Sequence, residues 1–317
     1  MTRTPHLLNK SSITLFQNTC LTKQRFVITG ASGWLGRTFV ALANSAGHDL
    51  MLVGSHSRSI SIDNLEFVVE EYEINAIEQF NPTVLVDFAF VTREHLGEMS
   101  DEGYRKVNYQ LIDKALEIFA LPTVRYGLFT SSGAAVYPED ALLGLFSENP
   151  YGYLKRKTEE LVLQESARLN KKSIVIRPWS LSGTMVMKDY EFAFSSFIRQ
   201  SFGNLIEVKS PIPVYRRYVS AEDFLALSVA KLFSQSNSAE IFDSGGELVS
   251  LVDLAHKIAD LQTNKVSVVS RQSNPEASNN YYSDNRQWIQ ECEAFGFVPE
   301  NLSEQISRNL EYYRAIR

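Results

Sequence analysis

Cysteine and histidine are scarce in this sequence of 317 residues. The two cysteines, Cys20 and Cys292, lie far apart and form no CxxC motif, so we expect no disulfide scaffold and a reducing, cytoplasmic compartment. The five histidines are scattered without an HxxxH or HExxH spacing. This pattern gives no support for a zinc site, and we predict no bound metal.

Long apolar runs are also missing, and negative charge exceeds positive charge. No apolar run reaches the roughly 18 residues that are needed to span a bilayer, and the polar start of the chain lacks the core of a signal peptide. The formal net charge of −6 argues against nucleic acid or an anionic membrane as a partner. We interpret residues 1–24 as a polar arm ahead of the fold.

What the sequence does contain is an alternation of apolar strands and amphipathic helices. The runs RFVITG (25–30), TVLVDFAF (83–90) and KSIVIRP (172–178) are separated by segments of helix length. Continuous Val, Ile and Leu runs of this kind are typical of a parallel sheet that helices cover on both faces. The prediction is an α/β fold with a Rossmann-type, doubly wound parallel sheet over residues 25–178.

Beyond Pro178 the alternation loosens. The segment 205–219 has the pattern of two short strands, and 220–233 is an amphipathic helix with Ser220 as a candidate cap. The prediction for residues 179–317 is a smaller lobe. We expect residues 220–235 to return to the Rossmann domain.

The segment GASGWLG follows the first strand and places glycines at 30, 33 and 36. Glycine lets the chain turn sharply and lets backbone N–H groups approach a pyrophosphate at a helix N-terminus. Because the motif lies between a predicted strand and a predicted helix, it indicates dinucleotide binding rather than a plain tight turn. The candidate cofactor contacts in this loop are Gly30, Ser32, Gly33, Trp34 and Leu35.

Tyr151 and Lys155 stand four residues apart in the segment PYGYLKRKTEE (150–160). Pro150 and the charged residues that follow favour a helix, on which both side chains share one face. A YxxxK pair is most often a solvated surface pair. A cation beside a phenol also lowers the phenol's pKa from about 10, which suits proton transfer near neutral pH. The segment alone leaves both interpretations open.

Further motifs follow in order along the chain. They are DFAF (87–90), Asn108 in VNYQLIDKAL, FTSSGAAVYP (129–138), PYGYLK (150–155), IRPWSLSG (176–183), RRYVSAEDF (216–224) and YYSDNRQWIQECEAFGFVPENLSEQI (281–306). With the GxxGxxG spacing, this set resembles the extended short-chain dehydrogenases/reductases, and within them the NAD-dependent epimerase/dehydratase family of nucleotide-sugar enzymes. The resemblance extends from about residue 25 to the end of the chain.

The resemblance implies an NAD(P)-dependent enzyme with a small-molecule substrate, in which the Rossmann domain (residues 25–178) binds NAD(P) and the lobe of residues 179–317 mainly binds the substrate. In such an enzyme, Tyr151 transfers a proton and Lys155 holds the nicotinamide ribose hydroxyls. The same resemblance implies further cofactor contacts at Phe88, Ala89, Phe90, Asn108 and Pro178. It also implies substrate contacts at Ser132, Ser180, Arg216 and Arg217. Either arginine would suit the diphosphate of a nucleotide-linked sugar, since guanidinium groups match phosphate oxygens. A charged strand edge is the other interpretation of the arginine pair. The resemblance is also consistent with a homodimer.

The chain departs from the family pattern at the third catalytic residue, which is usually Ser or Thr. That register falls on Gly133, because SSGAAVY carries one residue more than SSGAVY, so we assign the catalytic hydroxyl to Ser132 in preference to Ser131. The Thr-Asp-Glu of sugar 4,6-dehydratases is also missing here, which argues against that reaction. The sequence is consistent with either an epimerase or a keto-sugar reductase. The alternatives are a non-catalytic NAD(P)-binding regulatory protein on the same fold and a reductase of a non-sugar carbonyl.

The loop after the second strand, LVGSHSRS, bears on the choice of cofactor. NAD-preferring members of such folds place an acid here to bind the adenosine ribose, whereas this chain offers Ser55 and Arg58, with no carboxylate before Asp63. A hydroxyl and a guanidinium can bind a 2′-phosphate. We predict NADP or NAD as the cofactor, with NADP slightly favoured. The alternative is that Arg58 is a solvated loop residue and that either cofactor serves.

Overall fold

The structure is a computed structural model, and it describes residues 8–20, 22–92, 99–136, 145–274 and 277–317. These residues form two compact units. The larger unit contains Ile13–Pro178 and Ala226–Asp243, and the smaller unit contains the residues up to Ser12, Trp179–Leu225 and Ser244–Arg317. None of the described helices is long and apolar enough to cross a membrane.

The described residues form helices and strands with the following bounds. The helices are α1 (Lys10–Thr19), α2 (Trp34–Ser45), α3 (Ile74–Phe80), α4 (Asp101–Ala120), α5 (Pro150–Leu169), α6 (Ala193–Ser201), α7 (Ala221–Ser234), α8 (Leu251–Asp260), α9 (Arg286–Ala294) and α10 (Leu302–Ile316). The strands are β1 (Arg25–Thr29), β2 (Asp49–Gly54), β3 (Arg58–Ile62), β4 (Leu65–Glu71), β5 (Val84–Asp87), β6 (Tyr126–Thr130), β7 (Lys172–Arg177), β8 (Ser180–Ser182), β9 (Leu205–Val208), β10 (Val214–Ser220), β11 (Ala239–Asp243), β12 (Glu247–Ser250), β13 (Ser267–Ser270) and β14 (Asn279–Tyr281).

The larger unit is built on an eight-stranded sheet with the order β11-β7-β6-β5-β1-β2-β4-β3. Neighbouring strands are parallel except at one edge, where β3 pairs antiparallel with β4. The strands β1, β5, β6 and β7 are buried along most of their length, as a sheet covered on both faces requires. The predicted α/β fold of the Rossmann type is confirmed.

The carboxyl ends of β1, β5, β6 and β7 lie side by side at one edge of this sheet. The register pairs Thr29 with Asp87 and Asp87 with Phe129, and it pairs Thr130 with Ile176. Since neighbouring strands are parallel, the segments that follow them emerge next to one another, which is where doubly wound sheets bind ligands. This edge carries the candidate site.

Helix α1 contributes one buried aromatic anchor to the larger unit. The ring of Phe16 is fully buried and packs against the rings of Phe26 and Phe39. The sequence pattern was interpreted as a polar arm over residues 1–24, and the structure differs because Lys10–Thr19 is a helix. Residues 1–7 and 21 of that segment lie outside the described residues. Polar residues dominate KSSITLFQNT, and they mask the signal of its few apolar positions.

The smaller unit contains two small sheets. Strand β10 pairs antiparallel with β12 and parallel with β14 and β8, while β9 pairs parallel with β13. Helices α6, α8 and α10 enclose an apolar core whose buried members include Phe194, Ile198, Leu254 and Ile306. The core gives this unit its own hydrophobic interior.

A buried carboxylate organises one side of the smaller unit. Asp223, the acid of the motif RRYVSAEDF, is fully buried and accepts hydrogen bonds from the Asn9 amide at 2.9 Å and the Ser12 hydroxyl at 2.6 Å. The backbone N–H of Glu300 donates to the same carboxylate at 2.9 Å. An unpaired carboxylate at this depth would be costly, so Asp223 requires these donors. Through them, Asp223 connects the segments that contain Asn9, Ser12 and Glu300.

Candidate active site

The glycine loop joins β1 to α2, and two of its glycines are required by the fold. Gly30 has a φ of +64°, and a Cβ there would lie 2.5 Å from the backbone carbonyl carbon of Phe88. A Cβ at Gly36 would lie 2.3 Å from the carbonyl oxygen of Gly30. Only glycine fits such close backbone contacts. The contact with Phe88 also places the glycine loop against the segment that follows β5.

Gly33 has a different role. Its φ of −76° and ψ of 171° suit any residue, and a Cβ there would meet only the Gly30 carbonyl oxygen, at 3.5 Å. Gly33 is the N-cap of α2, and the first turn of this fully described helix contains neither a side-chain cap nor an acidic residue. Open space above uncapped N–H groups at a helix N-terminus is the arrangement that binds a pyrophosphate.

Ser32 of the glycine loop lies between two guanidinium groups. Arg58, at the start of β3, donates to Ser32 Oγ at 2.7 Å, and Arg37 Nε donates to the Ser32 carbonyl oxygen at 3.0 Å. Arg58 Nη1 is 2.9 Å from His56 Nε2, and Ser55 Oγ is 3.1 Å from His56 Nδ1. The structure thus joins the predicted residues Ser32, Ser55 and Arg58 in one network with Arg37 and His56.

Tyr151 and Lys155 lie in the first two turns of α5, and both contact Phe90. The Tyr151 ring meets the Phe90 ring edge to face, with centroids 5.5 Å apart, and Lys155 Nζ lies 3.7 Å from the Phe90 centroid. Lys155 is only 4% exposed, and its Nζ is 6.0 Å from the Tyr151 centroid. The two residues are therefore not a solvated surface pair.

Burial and the neighbouring carboxylates change the pKa of Lys155 in opposite directions. Its Nζ donates to the Thr130 carbonyl oxygen at 2.8 Å. Burial lowers the pKa of Lys155, and the charges of Asp87 and Glu159 oppose that change. Burial raises the pKa of Asp87, against the hydrogen bond from Thr29 and the charge of Lys155. Burial thus brings the pKa values of Lys155 and Asp87 closer together.

The two serines after β6 have different partners. Ser131 Oγ donates to Glu159 at 2.5 Å, and Glu159 is buried and receives two hydrogen bonds from Arg177, at 2.6 and 2.5 Å. Ser132 Oγ accepts from the backbone N–H of Ala134 at 3.1 Å. Because the Ser131 hydroxyl proton is committed to a buried carboxylate, Ser132 is the better candidate to contact a substrate.

We expect Ser132→Ala to lower kcat by about 10- to 1,000-fold with little change in melting temperature, because the variant loses a hydrogen bond at the reacting oxygen. Ser131→Ala is the matched comparison. It should lower the melting temperature, since it removes a partner of buried Glu159, and it should affect kcat less. Steady-state kinetics and thermal unfolding measure both effects, and the reverse ranking of kcat would assign the catalytic hydroxyl to Ser131.

Asn108 and Pro178 hold the backbone of the site. Asn108 Oδ1 accepts from the Val91 N–H at 2.9 Å, and its Nδ2 donates to the Val91 carbonyl oxygen at 3.3 Å. This clamp fixes the segment after β5, which includes the predicted contacts Phe88, Ala89 and Phe90. The Pro178 carbonyl oxygen accepts from the Gly133 N–H at 3.0 Å, next to Ser132.

The predicted substrate contacts Ser180, Arg216 and Arg217 belong to the smaller unit. Ser180 begins β8, opposite Tyr218 of β10. Arg216 Nη1 donates to the Tyr215 carbonyl oxygen at 2.8 Å, and Arg217 Nη1 donates to the Gly246 carbonyl oxygen at 2.9 Å. The two arginines are consecutive on β10, so they point to opposite faces of the sheet and do not form one clamp.

Sequence reasoning missed several residues that the structure brings to this edge of the larger unit, namely Thr29, Arg37, Asp87, Glu159 and Arg177. One of them carried a readable signal. Asp87 is the only acid in the otherwise apolar run TVLVDFAF, at the carboxyl end of a parallel strand, where ligand-binding residues concentrate. The other four become informative only through their contacts.

The larger unit fits a dinucleotide. Gly33 leaves space above an uncapped helix N-terminus, the network around Ser32 places two guanidinium groups beside the glycine loop, and the Lys155 ammonium lies at the carboxyl end of β6. The buried Thr130 Oγ1, beside the carbonyl that binds Lys155, has no hydrogen-bond partner within the described ranges. Among the described residues, no three His, Cys, Asp or Glu side chains form a group that could hold a metal ion.

Comparison with known proteins agrees with this geometry. The NAD dependent epimerase/dehydratase family matches residues 26–242. That span covers more than half of the chain, so the protein belongs to this family of the extended short-chain dehydrogenases/reductases. The sequence matches no curated protein.

Solved structures with the same fold share little sequence with this chain. UDP-glucose 4-epimerase from Thermotoga maritima, solved with UDP-glucose, is 17% identical, with a TM-score of 0.72 over 92% of this chain and 99% of that one. The Brucella ovis UDP-glucose 4-epimerase, solved with NAD, is 17% identical, with a TM-score of 0.69 over 92% and 98%. A UDP-N-acetylglucosamine 4-epimerase from Methanobrevibacter ruminantium, solved with UDP-N-acetylmuramic acid, is 14% identical, with a TM-score of 0.69 over 93% and 100%.

Proposed function

We propose that this protein is an NAD(P)-dependent enzyme that acts on a nucleotide-linked sugar, by epimerisation or by keto-sugar reduction. The observation that carries the proposal is the shared contact of Tyr151 and Lys155 with Phe90, in a segment that packs against the glycine loop through Phe88. The segment after β5 therefore connects the proposed proton-transfer pair with the glycine loop that would bind the pyrophosphate. The family relation and the sugar nucleotides bound by the solved relatives support the choice of substrate class.

The chemistry divides among a few residues of this chain. The cofactor, when bound, accepts or supplies a hydride at the sugar carbon. Tyr151 moves the proton at the oxygen on that carbon, Lys155 holds the nicotinamide ribose hydroxyls, and Ser132 donates a hydrogen bond to the reacting oxygen. A positioned acid/base of this kind contributes on the order of 10²- to 10⁴-fold to the rate.

A ligand screen tests the proposal. Thermal unfolding is measured with NAD⁺, NADP⁺ and a panel of UDP-, GDP-, dTDP- and CDP-sugars, and stabilised pairs are then assayed for conversion of the sugar and for a change in cofactor absorbance. We expect one dinucleotide and one class of sugar nucleotide to raise the melting temperature, since a ligand that binds only the folded state stabilises it. Dinucleotide binding without turnover of any sugar nucleotide would contradict the proposal and favour a regulatory protein or a reductase of another carbonyl.

We further propose that the cofactor is NADP in preference to NAD. The support is the network at Ser32, where Arg58 and Arg37 supply two guanidinium groups and the described loop from 55 to 58 supplies no carboxylate. An acid at this position would repel a 2′-phosphate, whereas guanidinium groups bind one. The Brucella ovis relative was solved with NAD, so the proposed preference for NADP distinguishes this chain from that complex.

We expect NADPH to bind more tightly than NADH, and Arg58→Ala to reduce the ratio of dissociation constants by roughly tenfold, or about 1.4 kcal/mol. Fluorescence titration of each reduced cofactor measures the ratio. The control is Arg168→Ala, which removes an exposed arginine of α5 that pairs with Glu165, and it should leave the ratio unchanged. Equal dissociation constants in the wild-type protein, or a preference for NADH, would contradict the proposal and favour an epimerase that retains NAD.

A further inference from the structure

Asp87 is a buried carboxylate next to the candidate site, and the function proposed above gives it no role. It ends β5, is only 5% exposed, and lies in register with Thr29 of β1. The Thr29 hydroxyl and the Ala89 N–H, the latter at 3.3 Å, donate to the same carboxylate oxygen. Such donors stabilise the ionised form and oppose the effect of burial, which raises the pKa of Asp87.

Within the described part of the chain, the Lys155 ammonium has few neutral partners. Its Nζ lies 2.8 Å from the Thr130 carbonyl oxygen and 3.7 Å from the centroid of the Phe90 ring. One carbonyl and one ring do not compensate a buried ammonium, which needs an opposite charge nearby. Thr130 ends β6, the strand next to β5, so the ammonium is bound at the strand end beside Asp87.

Other charged groups around Lys155 are already engaged. Glu159, one turn further along α5, is bound by both Nε and Nη2 of Arg177 and by the Ser131 hydroxyl. Tyr151, one turn before Lys155, contributes a phenol. Among the described residues, Asp87 and Glu159 are the carboxylates whose charges raise the pKa of Lys155, and Lys155 is the cation whose charge lowers the pKa of Asp87. Asp87 is the one of the two carboxylates that lies on the strand side.

We propose that Asp87 is a positioning residue for Lys155, and that its charge keeps the Lys155 amine protonated over the pH range in which this ammonium binds the nicotinamide ribose hydroxyls. The inference rests on the proposed role of Lys155 in cofactor binding. It assigns the buried carboxylate a function that the family motif around it does not supply, since this strand end reads DFAF where the family has an HLAA-like sequence.

The direction of the pH effect follows from the charges. Cofactor affinity falls as the pH rises through the pKa of Lys155, because the neutral amine loses its charge-assisted hydrogen bonds to the ribose. The charge of Asp87 raises the pKa of Lys155. Without that charge, affinity is lost at a lower pH. At a pH low enough to protonate Asp87 in the wild-type protein, the wild type and a variant with neutral residue 87 should bind equally well.

The experiment measures the dissociation constant of NAD⁺ by calorimetry at a series of pH values. NAD⁺ is chosen because it lacks the titrating 2′-phosphate of NADP⁺. We expect Asp87→Asn to shift the midpoint of affinity loss down by about one pH unit or more. The matched control is Asp49→Asn, which removes an exposed acid at the amino end of β2, on the opposite edge of the same sheet, and it should leave the midpoint unchanged.

An unchanged midpoint in Asp87→Asn overturns the inference. A Lys155→Met variant separates this failure from that of the proposed function. If Lys155→Met binds NAD⁺ as tightly as the wild type, Lys155 does not hold the cofactor and both proposals fall. If Lys155→Met weakens binding while Asp87→Asn keeps the wild-type midpoint, only the inference about Asp87 falls.

A second measurement does not depend on the folding of Asp87→Asn. In the wild-type protein, the ¹³Cε resonance of Lys155 should show its own titration and, at lower pH, a smaller inflection as Asp87 binds its proton. Thr29→Val removes a donor to the ionised carboxylate and should move that smaller inflection to higher pH. A Lys155 resonance with a single inflection, unchanged by Thr29→Val, would overturn the inference.

Discussion

Replacing Tyr151 by phenylalanine is expected to reduce kcat by roughly 10²- to 10⁴-fold while cofactor affinity and the melting temperature stay close to those of the wild type. The Tyr151 ring packs edge to face on Phe90, and phenylalanine keeps that contact. The variant loses only the hydroxyl that exchanges a proton with the substrate oxygen. The measurement is the steady-state rate with the sugar nucleotide found in the ligand screen.

Tyr153→Phe provides the matched control for this prediction. Tyr153 lies two residues further along α5, where its ring meets Phe146 at 5.7 Å between centroids. Removal of the Tyr153 hydroxyl should leave kcat within about twofold of the wild type, since surface changes away from the chemistry have small effects. If Tyr151→Phe keeps more than a few per cent of the wild-type kcat, Tyr151 is not the proton-transfer residue.

Gly33→Val is expected to weaken dinucleotide binding by on the order of 100-fold, or about 2.8 kcal/mol, in a protein that still folds. The backbone at Gly33 is extended, and a Cβ there has only one ordinary contact, so the chain itself tolerates a larger residue. The added side chain occupies the space above the N-terminus of α2, where the pyrophosphate would approach the N–H groups. Fluorescence titration with NADH and NADPH measures the loss.

Gly203→Val is the control for the glycine loop. Gly203 lies in the smaller unit, and a Cβ there would meet the Gln200 carbonyl oxygen at 3.4 Å, an ordinary contact. The same substitution at this position should leave cofactor affinity unchanged. Wild-type affinity in a folded Gly33→Val protein would show that this loop does not hold the phosphates.

The parts of the fold that could be predicted are those that depend on the pattern of residues within one short segment. Strands β1, β5 and β7 are buried on both faces, so they read as continuous apolar runs. The edge strand β3 was not predicted, because its sequence RSISI alternates small polar and apolar residues and half of it faces away from the core. Strand β11 is short and follows a helix of the C-terminal part of the chain, so no local pattern indicates that it joins the large sheet.

The candidate site also contains some residues whose proximity could be predicted from the sequence and others whose proximity could not. Tyr151 with Lys155, and the three glycines, are set by spacings of three or four residues, which a sequence shows directly. The pairing of Ser131 with Glu159 spans 28 residues, and the Thr29–Asp87 pair spans 58. Such pairs depend on the order of the strands in the sheet. The sequence pattern predicts the fold class but does not predict that order. The motif register alone favours Ser132 over Ser131, and the distant contact of Ser131 with Glu159 adds a second reason for that prediction.

The position of β11 has a consequence for how the protein is made. This strand pairs with β7 at the edge of the large sheet, yet Trp179–Leu225 of the smaller unit are synthesised between the two strands. If the large sheet forms before residue 243 has left the ribosome, β7 is an edge strand with unpaired backbone N–H and C=O groups. An exposed strand edge of this kind is a site for pairing with other chains. In such a nascent chain, association with other chains competes with completion of the sheet.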